Sequence, residues 1–181
     1  MWIYIVLMAA LVITDQSLKL LAEVFLKGRP PIPILEGIVY LTYNENVGAA
    51  FGFFPGQRWL LIGLTSAVLL FLILVHYRGW LFQRDGEGTV LRCRANTVFR
   101  WALTLIIAGG LGNLIDRITQ GYVADYIDFR WPVDFAIFNF ADMCVTFGVI
   151  LAVIYLFFLG SGERKTPPTA TDTLTEESSR P

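Results

Sequence analysis

The chain has 181 residues, of which 55% are apolar and only 16% charged, and its mean hydropathy is +0.59. A soluble domain carries about a quarter charged residues, so the composition indicates an integral membrane protein. The formal net charge of −1 argues against a nucleic-acid partner, because phosphate binding needs a basic surface. One histidine and two distant cysteines, Cys93 and Cys144, suggest neither a zinc site nor a disulfide framework, and we expect no metal or cofactor.

Four apolar segments are long enough to cross a bilayer, which takes roughly 20 residues. They lie at about 2–22, 59–77, 98–115 and 138–159. The predicted fold is therefore all-α, with four transmembrane helices in a single domain over residues 1–160. The first segment has no basic residues before its apolar run and no clean cleavage site after it, which favours a retained helix over a signal peptide. The polar segment 161–181 is predicted to be a disordered cytoplasmic tail.

Basic residues predict the orientation of these helices. Several arginines lie between the second and third apolar segments, and Arg164 and Lys165 follow the fourth. Because basic residues in short loops favour the cytoplasm, both termini are predicted to be cytoplasmic, with segments 23–58 and 116–137 facing outward. The first outward segment has three prolines and then a stretch rich in Ile, Val, Tyr and Thr, which predicts a small extracytoplasmic β-element at about 30–54.

Conspicuous polar residues fall at the outward ends of the predicted helices or in the outward segments. Within the helices they are spaced three or four residues apart, which places them on common faces. The topology therefore gathers them at one level of the membrane. They are Asp15, Lys19, Asn46, Asn113, Asp116, Arg117, Asp125, Asn139 and Asp142.

Structural roles account for most of these residues when each is taken singly. Such roles are a neutralised pair of Asp15 with Lys19, hydrogen bonds between helices from Asn113 and Asn139, an Asp116 carboxylate held by Arg117, and a loop or cap position for Asp125. Asp142 is the hardest to explain in this way. An ionised carboxylate inside an apolar helix costs about 2.5 to 3.5 kcal/mol at mid-membrane and less near the interface, so a functional role is indicated.

The outward cluster limits the possible chemistry. The single histidine, His76, is predicted at the cytoplasmic end of the second helix, which excludes a serine or cysteine triad on the outward side. Carboxylates remain, and two close carboxyls that share one proton can activate water and polarise a carbonyl, as in aspartic peptidases. Two alternatives stay open: a small transporter or channel subunit with buried carboxylates, and a non-enzymatic scaffold with a polar lock between helices.

Five motifs contain the polar residues in chain order. They are DQSLK at 15–19, NENVGAAFGF at 44–53, GGLGNLIDR at 109–117, GYVADYIDF at 121–129 and FNFADMCVTFG at 138–148. In content and order they resemble the motifs of lipoprotein signal peptidase, also called signal peptidase II. The resemblance spans about residues 2–159, with small departures such as Tyr126 where the family commonly has phenylalanine.

The resemblance implies an aspartic endopeptidase of the bacterial inner membrane, with its active site toward the extracytoplasmic face. It implies removal of the signal peptide from diacylglyceryl-modified prolipoproteins, just before the lipidated cysteine. The implied catalytic pair is Asp125 and Asp142, the implied positioning residues for substrate or pair are Asn46, Asn113, Arg117 and Asn139, and the implied structural support is Asp15 and Lys19. Expected partners are the lipid-modified prolipoprotein, membrane lipid and inhibitors similar to the cyclic peptide globomycin.

Overall fold

The computed structural model describes residues 2–48, 54–82, 90–130 and 136–159, without the side chains of residues 78–96. It contains four long helices: α1 at Trp2–Leu26, α2 at Arg58–Phe82, α3 at Val90–Thr119 and α4 at Phe140–Ile154. A π-helical turn, Tyr155–Leu159, continues α4. The predicted tail at 161–181 and the side chain of Cys93 lie outside this description.

All four helices contain a stretch that is long and apolar enough to cross a membrane. The prediction of four transmembrane helices is therefore confirmed, although three of them extend further than expected. Helix α1 continues to Leu26, α2 continues to Phe82, and α3 runs from Val90 to Thr119. Asp116 and Arg117 consequently belong to the last turns of α3 and not to the outward loop that follows it.

A four-stranded antiparallel sheet lies at the end of the bundle where α1 and α3 end and α4 begins. Its strands are β1 at Ile32–Leu35, β2 at Val39–Asn46, β3 at Val123–Phe129 and β4 at Ile137–Phe138, in the order β1-β2-β3-β4. The β1–β2 pair agrees with the predicted β-element. Strand β3 and the start of β4 fall in the outward segment 116–137, for which no strand was predicted. Phe138, predicted to begin the fourth helix, belongs to β4, and that helix begins at Phe140.

Strand β3 escaped prediction because its sequence, VADYIDF, contains two aspartates, a residue type that is depleted in strands. Pairing with β2 overrides this preference, with Asn44 opposite Asp125 and Asn46 opposite Val123. The strand is almost entirely buried. Because β3 lies between β2 and β4, Asp125 is buried between the sheet and the ends of the helices.

Two packing contacts position the sheet and helices around this point. On one side, Ala22 and Leu26 of α1 pack against Tyr126 of β3. On the other, α3 and α4 approach so closely that a Cβ atom added at Gly148 would lie 2.8 Å from the Ala102 carbonyl oxygen. The outer faces of the helices expose large apolar side chains, as expected for surfaces in contact with lipid.

Candidate active site

The first turn of α4 explains how a carboxylate is tolerated near the start of an apolar helix. Asn139 is the N-cap residue, and its Oδ1 accepts a hydrogen bond from the Asp142 backbone N–H at 2.9 Å. In return, Asp142 Oδ2 accepts the Asn139 backbone N–H at 3.2 Å, which completes a capping box. The positive end of the helix dipole also favours a carboxylate at this position.

The other free N–H groups of this turn are satisfied by two distant elements. The Phe140 N–H donates to the Tyr126 hydroxyl of β3 at 3.2 Å, and the Ala141 N–H donates to Asp15 Oδ1 of α1 at 2.9 Å. A helix leaves its first N–H groups without partners inside the helix. Here side chains from α1, from β3 and from the cap itself fill those places, so the position of Asp142 is determined by three elements.

Asp125 lies in β3 with only 2% of its surface exposed. Its Oδ2 accepts a hydrogen bond from Asn46 Nδ2 at 3.0 Å, and its Oδ1 accepts one from Asn139 Nδ2 at 2.7 Å. Burial, with a further contribution from repulsion by Asp142, raises the pKa of Asp125 from its ordinary 3.8 to about 7, against the opposing effect of the two amide donors. This carboxyl is therefore able to hold a proton near neutral pH.

Asn139 joins the two carboxyl groups directly. Its side-chain amide donates to Asp125, while its backbone N–H donates to Asp142. The residue is fully buried, so water does not compete for these bonds. Asp142, in contrast, is only partly buried, which makes it the member of the pair that a substrate can reach more readily.

Asn113 of α3 completes the surroundings of Asp142. Its Nδ2 donates to Asp142 Oδ1 at 2.7 Å. Its Oδ1 accepts from Lys19 Nζ at 2.9 Å and from Asn139 Nδ2 at 3.2 Å. Because two donors occupy the amide oxygen, the amide nitrogen must face the Asp142 carboxylate.

A buried ionic group supports this arrangement from behind. Lys19 Nζ lies 2.8 Å from Asp15 Oδ2 and 2.9 Å from Asp116 Oδ2, and all three side chains are nearly inaccessible. The predicted pairing of Asp15 with Lys19 is present. Asp116 has a structural position, as expected, but its ion pair is with Lys19, because successive residues on a helix point in different directions and Asp116 turns toward Lys19.

Arg117 instead connects α3 to the segment after β2. Its Nη2 donates to the Gly48 carbonyl at 3.0 Å, and the Gly48 N–H donates to Asn46 Oδ1 at 2.9 Å. Asn46 is thus held with its Nδ2 toward Asp125. The structure brings all nine predicted polar residues into this one connected region.

Three contributing residues were missed by the sequence analysis. Gln16 Nε2 donates to Asp116 Oδ1 at 2.9 Å, and its place beside Asp15 in DQSLK was the available signal. Arg58 donates to the carbonyls of Arg117 and Ile118, both at 2.7 Å, and caps the end of α3. The third is Tyr126, whose hydroxyl accepts a hydrogen bond from α4. The spacing of residues in the sequence does not predict this contact.

His76 lies apart from the site, as predicted. Its ring packs edge-on against Tyr4, at 5.4 Å between centroids, near the start of α1. Eleven residues of helix, or roughly 16 Å, separate Tyr4 from Asp15. Among the described residues, no group of three or more His, Cys, Asp or Glu side chains is arranged to hold a metal ion. The chemically active groups of the site are the two carboxyls that accept hydrogen bonds from Asn139.

Known proteins resemble this chain in sequence and in fold. A family model described as Signal peptidase (SPase) II matches residues 7–158. The lipoprotein signal peptidase of Halothermothrix orenii is 42% identical over 156 residues, which cover 86% of this chain and 94% of that protein. The lipoprotein signal peptidase of Lactiplantibacillus plantarum is 38% identical over 154 residues, which cover 85% of this chain and 93% of that protein. A solved structure of a bacterial membrane enzyme superposes with a TM-score of 0.73 at 29% identity, covering 93% of this chain and 96% of that one.

Proposed function

The chain belongs to the signal peptidase II family, and from this premise we propose that Asp125 and Asp142 are the catalytic pair of a membrane aspartic peptidase that cleaves lipoprotein signal peptides. The observation that carries the assignment is the bridge by Asn139, which donates one N–H to each carboxyl. A shared donor residue holds two carboxyls in a fixed relation, as water activation and carbonyl polarisation require.

The proposed reaction divides the work between the two carboxyls. The ionised member takes a proton from water, and the water oxygen attacks the scissile carbonyl carbon while the protonated member donates to the carbonyl oxygen. The resulting tetrahedral diol collapses as the carboxyl that took the water proton gives it to the leaving amine and the other carboxyl takes back a proton from a diol hydroxyl. This restores the starting pair, and no covalent enzyme intermediate forms. We assign the ionised role to Asp142, at the positive end of α4, and the protonated role to Asp125, whose pKa is raised to about 7.

The surrounding polar residues have positioning roles in this proposal. Asn113 and Asn139 orient the carboxyls through the hydrogen bonds described above. Asn46 and Arg117 lie on the side toward Gly48, where they are suited to contact the peptide backbone of the substrate. Asp15, Lys19 and Asp116 maintain the arrangement from the buried side.

The proposed substrate is a prolipoprotein that carries a diacylglyceryl group on the cysteine just after the cleavage site. The site lies where helix ends meet the sheet, so acyl chains remain among the apolar helix faces while the peptide reaches the carboxyls. Each buried acyl CH₂ contributes about 0.8 kcal/mol to membrane retention. Bilayer lipid is thus part of the binding environment, and a cyclic peptide of the globomycin type is expected to compete for the site.

We further propose that the site faces outward from the bacterial inner membrane and that both termini are cytoplasmic. Arginines at 78–100 and basic residues at 164–165 support this orientation through their preference for the cytoplasmic side. A reporter that is active only in the cytoplasm, fused after residue 181, should be active. An inactive cytoplasmic reporter together with an active extracytoplasmic one would reverse the proposed orientation.

Substrate class is tested with purified protein and a matched pair of precursors, one diacylglyceryl-modified at cysteine and one unmodified. We expect at least about a ten-fold preference in kcat/KM for the modified precursor, equivalent to about 1.4 kcal/mol. Equal cleavage of the two precursors would contradict recognition of the lipid. Inhibition by globomycin should be competitive, and noncompetitive inhibition would place its binding elsewhere.

A further inference from the structure

Tyr126 connects the two elements that carry the proposed catalytic carboxyls. It follows Asp125 in β3, and its ring is buried against Ala22 and Leu26 of α1. Its hydroxyl accepts the Phe140 N–H, the first N–H of α4, two residues before Asp142. This hydrogen bond therefore connects the strand that carries Asp125 to the helix that carries Asp142.

The Phe140 N–H belongs to the group that a helix cannot satisfy internally. The bond is partly buried, and a donor shielded from water that loses its acceptor carries a desolvation cost, so the first turn of α4 would have to shift or admit water if the hydroxyl were absent. The capping box through Asn139 fixes the helix to its own cap, whereas the Tyr126 bond fixes it to β3. The Tyr126 bond therefore bears on the distance between strand and helix, in addition to the bond from Asn139 Nδ2 to Asp125 and the pairing of β3 with β4.

The Tyr126 hydroxyl stays neutral over the working pH range. Burial raises its pKa, the Phe140 hydrogen bond opposes this, and the nearby carboxylates of Asp15, Asp142 and Asp125 add to it, so that the pKa is about 12. A neutral phenol accepts the backbone N–H without adding a charge to the carboxyl pair. Its contribution at the site is therefore geometric.

We propose that Tyr126 is a positioning residue that sets the separation of Asp125 and Asp142 by tying β3 to the first turn of α4. The inference rests on the proposed function, because it concerns the spacing of that catalytic pair. Repulsion by Asp142 contributes to the raised pKa of Asp125. If the two carboxyls move apart, this repulsion weakens and the pKa of Asp125 falls. The pH dependence of cleavage therefore reports on the separation of the two carboxyls.

Tyr126→Phe is the direct test, with Tyr43→Phe as a matched control. Tyr43 lies in the same sheet and packs against the same cluster, but its hydroxyl contacts Tyr122 at 3.4 Å and not α4. We expect Tyr126→Phe to lower kcat about 3- to 10-fold with KM unchanged. The alkaline limb of its kcat/KM profile should move to lower pH by several tenths of a unit, whereas Tyr43→Phe should match the parent protein.

A second set of variants removes the donor instead of the acceptor. Phe140→Pro deletes the N–H at the first helical position, where proline is favoured, and Asn139 already has the extended backbone, with φ −131° and ψ 178°, that a following proline requires. Phe140→Ala loses the same ring but keeps the N–H. Tyr126→Phe should therefore lower kcat in the Phe140→Ala background and have no effect in the Phe140→Pro background.

An unchanged kcat and pH profile in Tyr126→Phe would overturn the proposal, even if the melting temperature fell. Equal effects of Tyr126→Phe in the two Phe140 backgrounds would also overturn it, because the loss would then be independent of the bond. Failure of the proposed function has a different signature. If Asp125→Asn or Asp142→Asn remained active, the catalytic pair itself would be wrong, whatever Tyr126→Phe did.

Discussion

Asp15 Oδ1 accepts the backbone N–H of Ala141 at 2.9 Å, although 126 positions separate the two residues. The other oxygen of the same carboxyl binds Lys19. One side chain of α1 thus supports the start of α4 and neutralises the buried lysine. This double role couples the ionic group to the position of Asp142 and suggests how substitutions in it should rank.

Lys19→Met should be more damaging than Asp15→Asn. Without Lys19, the carboxylates of Asp15 and Asp116 remain buried with no cation between them, and breaking a buried pair in this way costs about 3 to 5 kcal/mol. Asp15→Asn leaves Lys19 balanced by Asp116 and retains an oxygen for the Ala141 N–H. Thermal unfolding in detergent measures the order, and a larger loss in Asp15→Asn would contradict the charge balance described here.

Gly112→Ala should lower both stability and activity. A Cβ atom at this position would lie 2.5 Å from Asp15 Oδ2 and 3.3 Å from the Ala141 Cβ. Overpacking of this kind costs about 1 to 3 kcal/mol, and here it displaces the carboxylate that holds α4. Gly63→Ala, where nothing lies within 4 Å of an added Cβ, is the control for membrane helix propensity. Equal melting temperatures and cleavage rates for the two variants would contradict the proposed close packing.

Asn139→Ala should reduce kcat by at least about 100-fold while lowering stability more modestly. The variant removes the donor to Asp125 and the cap of α4, and a lost N-cap costs about 1 kcal/mol. Steady-state cleavage and thermal unfolding of the same preparation separate the two effects. The scaffold alternative predicts the reverse pattern, in which unfolding accounts for any lost activity.

Several parts of this structure could be predicted from sequence because their causes are local. The apolar segments are continuous, and the spacing of Asp15 and Lys19 places them on one helix face. The cap position of Asn139 was not predicted, because its sequence interpretation was a hydrogen bond between helices. The partners of Gln16 and Arg58 could not be predicted, because they lie on other helices. Spacing also left the choice among the outward aspartates open, and the resemblance to a known family singled out Asp125.

Strand β3 illustrates the same limit for secondary structure. Its two aspartates disfavour a strand locally, and only pairing with β2 and contact with α1 stabilise it. The two aspartates also differ in environment. Asp128 pairs with Arg130 at 2.7 Å, whereas Asp125 is buried among amide donors. The arrangement that distinguishes the proposed catalytic aspartate from its neighbour is therefore tertiary.

The raised pKa of Asp125 predicts a pH dependence with a defined sign. The folded protein binds this proton more tightly than the unfolded chain, so the contribution of Asp125 to stability is full below about pH 4 and is lost as the pH rises toward 7. Relative to the parent protein, Asp125→Asn should therefore gain melting temperature between pH 5 and pH 8. A difference that is constant across this range would contradict the raised pKa. Cleavage by the parent protein should decline above about pH 7, as the shared proton is lost.

Cleavage of a diacylglyceryl-modified prolipoprotein by purified Asp125→Asn and Asp142→Asn variants tests the central claim most directly. Asp128→Asn, in the same strand as Asp125, is the matched control. We predict that both pair variants remain folded by thermal unfolding and lose at least about 1,000-fold in kcat/KM, or about 4 kcal/mol of transition-state stabilisation, while the control retains most of its activity. Substantial cleavage by a folded Asp125→Asn or Asp142→Asn variant would contradict the assignment of the catalytic pair.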